Sequence, residues 1–356
     1  MSTSTCLREK KVNEYMSTTT TETQTRRLST ARAIAEGIAT EMRASDDVFV
    51  MGEDVGPYGG IFGSTTGLFD EFGPTRILDT PIAETGFIGA GIGAATEGLR
   101  PVVELMFADF FGVTMDQIYN HMAKIHYESG GNVKVPMVLM MATGGGYSDG
   151  AQHSQNLWAT FAHMPGMKVV IPSNPYDAKG LMISAIRDDN PVIFMFHKGI
   201  MGLPWMAKNP RSIDVVPEEA YTVPIGKAAV AHAGTDVTVV TVSLSVQHCL
   251  DVAEKLDGDI SVEVLDLRSL VPLDREAILQ SVSKTGRLVI VDEDYRSFGM
   301  SGEVVATITD EDPSLLKRPV QRVCYPDVPV PYARVLEYEA LPTRDKIEAA
   351  IREVMK

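Results

Sequence analysis

Short apolar runs closed by glycine, proline or acidic residues alternate along this chain with longer segments whose apolar positions recur every three to four residues. The runs Val48–Met51, Arg76–Asp79, Pro101–Met106, Val135–Met140, Met167–Pro172 and Pro191–Phe196 read as strands. Most are apolar throughout, the pattern of strands covered on both faces. Segments 31–42, 115–127 and 175–188 carry helical spacing, the first with Ser29 placed as its N-cap. Strand and helix in alternation predict parallel βαβ units. From residue 197 the alternation fails, and Pro204, Pro210, Pro217 and Pro224 mark an extended linker across the surface. It resumes with strands at Val237–Val242, Ser261–Asp266 and Arg287–Asp292 around helices at 245–256 and 274–283, and a last helix covers 344–355. The expected fold class is therefore α/β with two parallel-sheet domains, 28–203 and a smaller 225–356, joined by a linker at 204–224. Residues 1–27, rich in serine and threonine, are expected to be a disordered tail.

A chain of 356 residues exceeds what one core normally serves, and 44% hydrophobic with 22% charged side chains fits a globular protein with two cores. With 32 basic against 47 acidic residues the net charge is -15, which argues against nucleic acid or an anionic membrane as partner and permits docking on a basic protein. Cys6, Cys249 and Cys324 are odd in number and far apart, so neither a disulfide framework nor a zinc site is indicated. The cytoplasm is the expected setting. No apolar run reaches the ~18 residues of a membrane span, and the N-terminus lacks the apolar stretch of a secretory signal. Glu9, Glu14 and Glu22 speak against a transit peptide, and Met16 is a second candidate start.

In open parallel sheets the chemistry gathers beyond the carboxyl ends of the strands. Glu53, Glu84, Asp109 and His153 all fall in or near such loops. Glu84 precedes the glycine-laced segment Gly86–Ala95. It is either a first-turn carboxylate facing the helix dipole or a buried carboxyl with a raised pKa, able to share a proton with a ring nitrogen. Its apolar neighbours favour the second. His153 lies between Gln152 and Ser154 and follows the loop Gly144–Gly150, where missing side chains let a substrate or cofactor approach the backbone. A lone histidine is more often structural; the glycine loop reverses that preference. His121, His126, His163 and His197 are expected to be packed at element ends. A serine hydrolase would need a Gly-x-Ser-x-Gly elbow, which is absent. A zinc helix would space its histidines by four, whereas His121 and His126 are five apart. The glycine run after Glu84 lacks the strand–turn–acid context of a dinucleotide fingerprint. A carboxylate and an imidazole in apolar, glycine-bearing surroundings point instead to proton-transfer catalysis.

The segments Gly52–Gly56, Asp79–Glu84, Asp116–Ile118, Gly150–Gln155, Tyr176–Gly180 and Ala185–Pro191 occur in an order and spacing that resembles the β subunit of the thiamine-diphosphate-dependent first component of 2-oxo acid dehydrogenase complexes. The resemblance covers nearly all of 28–356. Glu104–Phe110, Pro172–Tyr176 and Val216–Tyr221 look most like acetoin dehydrogenase β subunits, with pyruvate and branched-chain 2-oxo acid enzymes as alternatives. It implies a thiamine-diphosphate pyrimidine-binding fold followed by a transketolase C-terminal-like domain. It also implies that Glu84 bonds the aminopyrimidine ring, that Phe110 stacks on it and that His153 serves acyl transfer to a lipoyl arm. Glu53 resembles the acidic residue of a tunnel linking paired sites. Main-chain oxygens of Met137, Ala185 and Asn190, with Asp188, match a monovalent-cation site, for which potassium is the candidate. The loop Gly144–Gly150, with Ser148 and Asp149, is richer in glycine than in many relatives and leaves substrate choice open.

A carboxylic acid against the ring nitrogen promotes the tautomer that activates the cofactor, provided the acid is desolvated. A diphosphate needs magnesium and amide donors. The family supplies these through Gly-Asp-Gly followed by asparagine, and Leu256–Asp259 does not match. Magnesium must then be held mainly by another polypeptide, which implies an α subunit in an α2β2 heterotetramer with the active site at the boundary. For acetoin, carbon–carbon cleavage would release acetaldehyde and pass an acetyl unit to lipoamide. The second domain is expected to help dock a dihydrolipoyl acyltransferase core with its lipoyl domain, although most of its acidic residues, Asp292-Glu293-Asp294 among them, read as a solvated face. A scaffold subunit without catalysis and a split transketolase-like sugar-phosphate enzyme are the remaining alternatives.

Overall fold

A computed structural model describes residues 26–206 and 209–356, so most of the expected tail, with Cys6 and Met16, lies outside the described residues. The strands are β1 (Arg27–Ser29), β2 (Val48–Gly52), β3 (Ile77–Asp79), β4 (Arg100–Phe107), β5 (Val138–Thr143), β6 (Lys168–Val170), β7 (Val192–His197), β8 (Ile213–Val215), β9 (Ala229–His232), β10 (Val237–Thr241), β11 (Val262–Asp266), β12 (Ser269–Val271), β13 (Leu288–Tyr295) and β14 (Gln321–Tyr325). A seven-stranded sheet has the order β12-β6-β7-β5-β4-β2-β3 and a five-stranded sheet the order β14-β13-β10-β11-β9. Each is parallel except at one edge, where β12 and β9 run antiparallel to their neighbours. The two parallel-sheet domains and most of the strands expected from the apolar runs are therefore present.

Every residue of β5 and β7 is buried, which is why their sequences show no alternation. Helices Thr30–Ala44 and Pro175–Arg187 cover one face. They meet closely at Gly37, where a Cβ would lie 3.1 Å from the Lys179 carbonyl oxygen. Ser29 caps the first, its hydroxyl accepting the Arg32 N–H. On the opposite face one apolar cluster joins Leu105, Leu139 and Met195 of the first sheet to Val240, Leu265 and Ile290 of the second. The two domains are thus packed through a shared core.

Four expectations need correcting. The region 115–127 is not one helix: it divides into Phe111–Met115, a wider π-helical turn over Asp116–Met122 and Ile125–Glu128. The linker is fastened to the first domain at two places. Its strand β8 pairs with β1, so Arg27 of the expected tail is ordered. The fully buried Lys179 ammonium donates to the linker carbonyls of Pro217, Glu218 and Glu219. The acidic run Asp292-Glu293-Asp294 is buried, because the first domain supplies partners for it: Trp158 Nε1 donates to Asp292 at 3.0 Å, and the Ala159 N–H to Asp294 at 3.1 Å. Finally, His121, His126 and His163 are exposed at the surface, and only His197 of that group is packed inside.

Candidate active site

Strand pairing brings Glu53 and Glu84 to one rim. β2 and β3 are parallel with Gly52 opposite Asp79, so the chain leaves both strands at the same carboxyl edge. Asp79 accepts the Gly56 N–H at 2.7 Å, and the Thr80 N–H reaches the Gly52 carbonyl at 2.9 Å, tying the two loops together. Glu53 is 8% exposed, and its Oε1 has no hydrogen-bond partner. Burial, with the nearby charges of Glu84 and Asp54, raises its pKa above the ordinary carboxylate value. Glu84 occupies the first turn of helix Glu84–Thr96 and is half-buried. The apolar residues before it, Pro81, Ile82 and Ala83, turn outward, Ile82 being 83% exposed. The expectation that they bury Glu84 within its own chain is therefore not met.

Phe110 connects this rim to His153. Thr85, beside Glu84, donates its hydroxyl to the Val113 carbonyl at 2.7 Å, fastening the start of that helix to the segment after Phe110. The Phe110 ring stands edge-on to His153 at 5.4 Å between centroids, and Phe107 stands edge-on to both, at 5.5 and 4.7 Å. Asp109 receives the backbone and side-chain N–H groups of Gln155 at 3.2 and 2.8 Å, which holds the His153 segment against the end of β4. Burial raises the Asp109 pKa, and its Oδ2 has no partner.

His153 opens onto a cavity of about 530 Å³ lined by Phe62, Phe107, Tyr147, Lys198 and Trp205, among others. Lys198, 1% exposed, donates to the Asp149 carboxylate and to the His153 carbonyl. Its ammonium also lies 5.6 Å from the ring centres of Phe107 and Tyr147. Sequence reasoning missed Lys198, although its place just past the end of β7 was a usable signal. It missed Trp205 and Glu337 as well. Glu337 carried no local signal, because its partners in the glycine loop lie 191 and 189 residues away.

Glu104, inside β4, is 2% exposed and accepts the Ser64 hydroxyl, while its Oε1 is unpartnered. It anchors the loop that carries Ile61 and Phe62 into the cavity wall. Burial pushes its pKa up to about 7. The folded state therefore binds this proton more tightly than the unfolded chain, and the contribution is lost as pH rises from the usual carboxylate range through about 7. Glu104→Gln should raise the melting temperature at pH 8 and have little effect at pH 4, as read by calorimetry. An equal effect at both values would show that Glu104 does not titrate in this way.

The remaining predicted residues cluster at the other end of the sheet. Asp188 accepts from the Lys168 ammonium and from Asn190, whose backbone and side-chain N–H groups both lie at 2.9 Å. The Met137 carbonyl accepts the Val192 N–H at 2.9 Å and the Ala185 carbonyl the Asp188 N–H at 3.3 Å. Asp188 is thus bonded to Lys168 and Asn190, while the Met137 and Ala185 carbonyls already accept backbone N–H groups.

Thiamine diphosphate can be tested against these residues in two parts. The aminopyrimidine end calls for a carboxyl and an aromatic wall, and Glu84, with the unpartnered Glu53 oxygen beside it, and Phe110 are side chains of those kinds. The diphosphate end calls for a metal site, and no group of three His, Cys, Asp or Glu side chains among the described residues is placed to hold one. The residues fit one half of the cofactor.

The family described as "Transketolase, pyrimidine binding domain" matches residues 26–202, and "Transketolase, C-terminal domain" matches residues 226–347. The acetoin:2,6-dichlorophenolindophenol oxidoreductase subunit beta of Bacillus subtilis is 42% identical, over 92% of this chain and 97% of its own. The 2-oxoisovalerate dehydrogenase subunit beta of the same organism is 44% identical over 90% and 97%. The pyruvate dehydrogenase E1 component subunit beta of Rickettsia bellii is 44% identical over 92% and 98%. Among solved structures, a split-gene transketolase described as an inactive β4 tetramer superposes with a TM-score of 0.74 at 23% identity, over 92% of this chain and 98% of that one, a likeness of fold.

Proposed function

Since this chain belongs to the family of β subunits of thiamine-diphosphate-dependent 2-oxo acid and acetoin dehydrogenases, we propose that it acts with an α subunit to cleave acetoin and pass the acetyl unit to a lipoyl group. The observation that carries the reading is the rim shared by Glu84 and the unpartnered Glu53, fastened through Thr85 to the segment after Phe110, whose ring packs edge-on against His153. When bound, thiamine diphosphate supplies a nucleophilic carbon and an electron sink for breaking the bond beside a carbonyl. Glu84 holds a proton on its carboxyl for a ring nitrogen, and Phe110 gives the ring an apolar wall. His153 exchanges a proton at the oxygen of the departing acyl group as it moves to the lipoyl arm.

The exposed apolar residues around Glu84, including Ile82, Val113 and Met115, suit a surface that an α subunit covers. In an α2β2 assembly that partner would desolvate Glu84 and hold magnesium on the diphosphate. A dihydrolipoyl acyltransferase core would then bring its lipoyl domain to the cavity. No helix among the described residues is long and apolar enough to cross a membrane.

The state of Lys198 favours acetoin over a 2-oxo acid. It is the one lysine or arginine among the described cavity-lining residues, and Asp149 already neutralises it. An uncharged ketol meets no unbalanced charge there, whereas a substrate carboxylate would find no free lysine or arginine among the described cavity-lining residues. The similar identities of the 2-oxoisovalerate and pyruvate relatives make those acids the alternatives to assay. With the α subunit co-expressed and thiamine diphosphate and magnesium added, acetoin-dependent dye reduction should exceed that with pyruvate or branched 2-oxo acids by roughly tenfold or more in kcat/KM. The β chain alone should be inactive. A higher value for a 2-oxo acid would overturn the substrate choice, and inactivity on all three would overturn the dehydrogenase reading.

A further inference from the structure

The glycine loop before His153 directs its amides onto carboxylates of the second domain. The Gly145 N–H donates to Glu293 Oε1 at 2.9 Å, the Gly146 N–H to Glu337 Oε1 at 2.7 Å and the Ser148 N–H to Glu337 Oε2 at 3.0 Å. Glu337 belongs to helix Arg334–Ala340 and is 1% exposed, so both oxygens of one buried carboxylate serve a single loop. The loop needs such restraint. Ser148 has φ +59, a left-handed backbone unusual for a residue with a side chain, between Gly146 at +96 and Gly150 at +76. Strained backbone of this kind persists only where its surroundings hold it.

The restraint reaches His153 by direct bonds. Asp149, next to Ser148, receives the Lys198 ammonium, which also donates to the His153 carbonyl at 2.6 Å. A second route begins at Glu293, whose Oε1 lies 3.0 Å from His197 Nε2. His197 Nδ1 accepts the Gly199 N–H at 2.8 Å, so Nε2 carries the proton shared with Glu293. His197 precedes Lys198, and the same domain contact therefore also fixes the backbone from which Lys198 reaches the loop.

We propose that Glu337 is a positioning residue, through which the second domain sets the place of His153 for transfer of the acetyl unit. The inference rests on the reading of His153 given above. If Glu337 served only to glue the domains together, its loss would lower every activity of the enzyme alike. Positioning of His153 predicts a selective loss.

The test uses the assembled α/β enzyme carrying Glu337→Gln, which keeps the side-chain volume but turns an NH2 group toward one of the two loop amides. The kcat for acetylation of a lipoyl domain should fall roughly tenfold to a hundredfold, with its KM and acetoin-dependent dye reduction unchanged. Hydrogen exchange in a peptide covering residues 144–157 should accelerate. Glu337→Asp, which keeps the charge and both acceptors on a shorter stem, should show the same selective loss to a smaller degree. Equal loss of dye reduction and lipoyl acetylation, unchanged exchange in that peptide, or failure of both variants to assemble would overturn the proposal. A wild-type enzyme that acetylates no lipoyl domain would defeat the functional reading alone, since the exchange measurement still decides whether Glu337 holds the loop.

Discussion

Glu84→Gln should lower turnover of the assembled enzyme by about a thousandfold or more, the upper range for loss of a general acid–base group, while the α/β complex forms in normal yield. The amide is nearly isosteric and can hydrogen-bond a ring nitrogen, but it has no proton to give. Its effect on folding should be small. Glu84 sits half-exposed in the first turn of its helix, where a carboxylate contributes about 0.3–1 kcal/mol through the helix dipole. In the free β chain, where no α subunit covers Glu84, the substitution also removes one of the charges that raise the pKa of Glu53, so that of Glu53 should move down toward the ordinary carboxylate value. Steady-state dye reduction, set beside thiamine-diphosphate affinity by calorimetry, separates the two possible roles. Retained cofactor binding with lost turnover marks a proton-transfer group. Near-normal turnover would show that the acid at this position does no such work, and the proposed function would lose its central residue.

Burial by the chain's own residues was legible in the sequence, and burial by distant segments was not. β5 and β7 could be found because their positions are apolar on both faces, and helix Thr30–Ala44 because Ser29 caps an amphipathic pattern. β12 could not, since three residues from the second domain add antiparallel to the edge of the first domain's sheet, and no local period encodes that pairing. The buried acids posed the same difficulty. A run such as Asp292-Glu293-Asp294 is normally solvated, and only the arrival of Trp158, Ala159 and His197 from the other domain makes its burial tolerable. Glu84 failed in the opposite sense. Its apolar neighbours suggest a cover within the chain, yet they face outward. The carboxylate, the aromatic and the histidine of the candidate site were visible as residue types in loops. Lys198, Glu293 and Glu337, which hold that loop region in place, became visible only when the domains were seen packed together.

Gly144→Ala should be among the most destabilising single substitutions in the chain, at about 3 kcal/mol or more. Gly144 has φ +95, where a side chain alone costs about 1–2 kcal/mol. An added Cβ would lie 1.9 Å from His197 Nε2, and the ring cannot retreat. It is fully buried, held at Nδ1 by the Gly199 N–H and at Nε2 by Glu293. Displacing it takes from the buried Glu293 carboxylate one of its hydrogen bonds, a loss of about 1.5–3 kcal/mol, besides the collision itself. Gly98 provides the control. Its φ is +98, but a Cβ there meets nothing within 4 Å, so Gly98→Ala carries the backbone cost without the collision. Denaturant unfolding of the two variants, followed through the fluorescence of Trp158 at the domain boundary, measures the difference. Since a whole domain is stable by only about 5–15 kcal/mol, the Gly144 variant should lie near the limit of folding while the Gly98 variant shifts modestly. Equal shifts would mean that His197 has room to move, and that the contact between the glycine loop and the second domain is looser than its hydrogen bonds indicate.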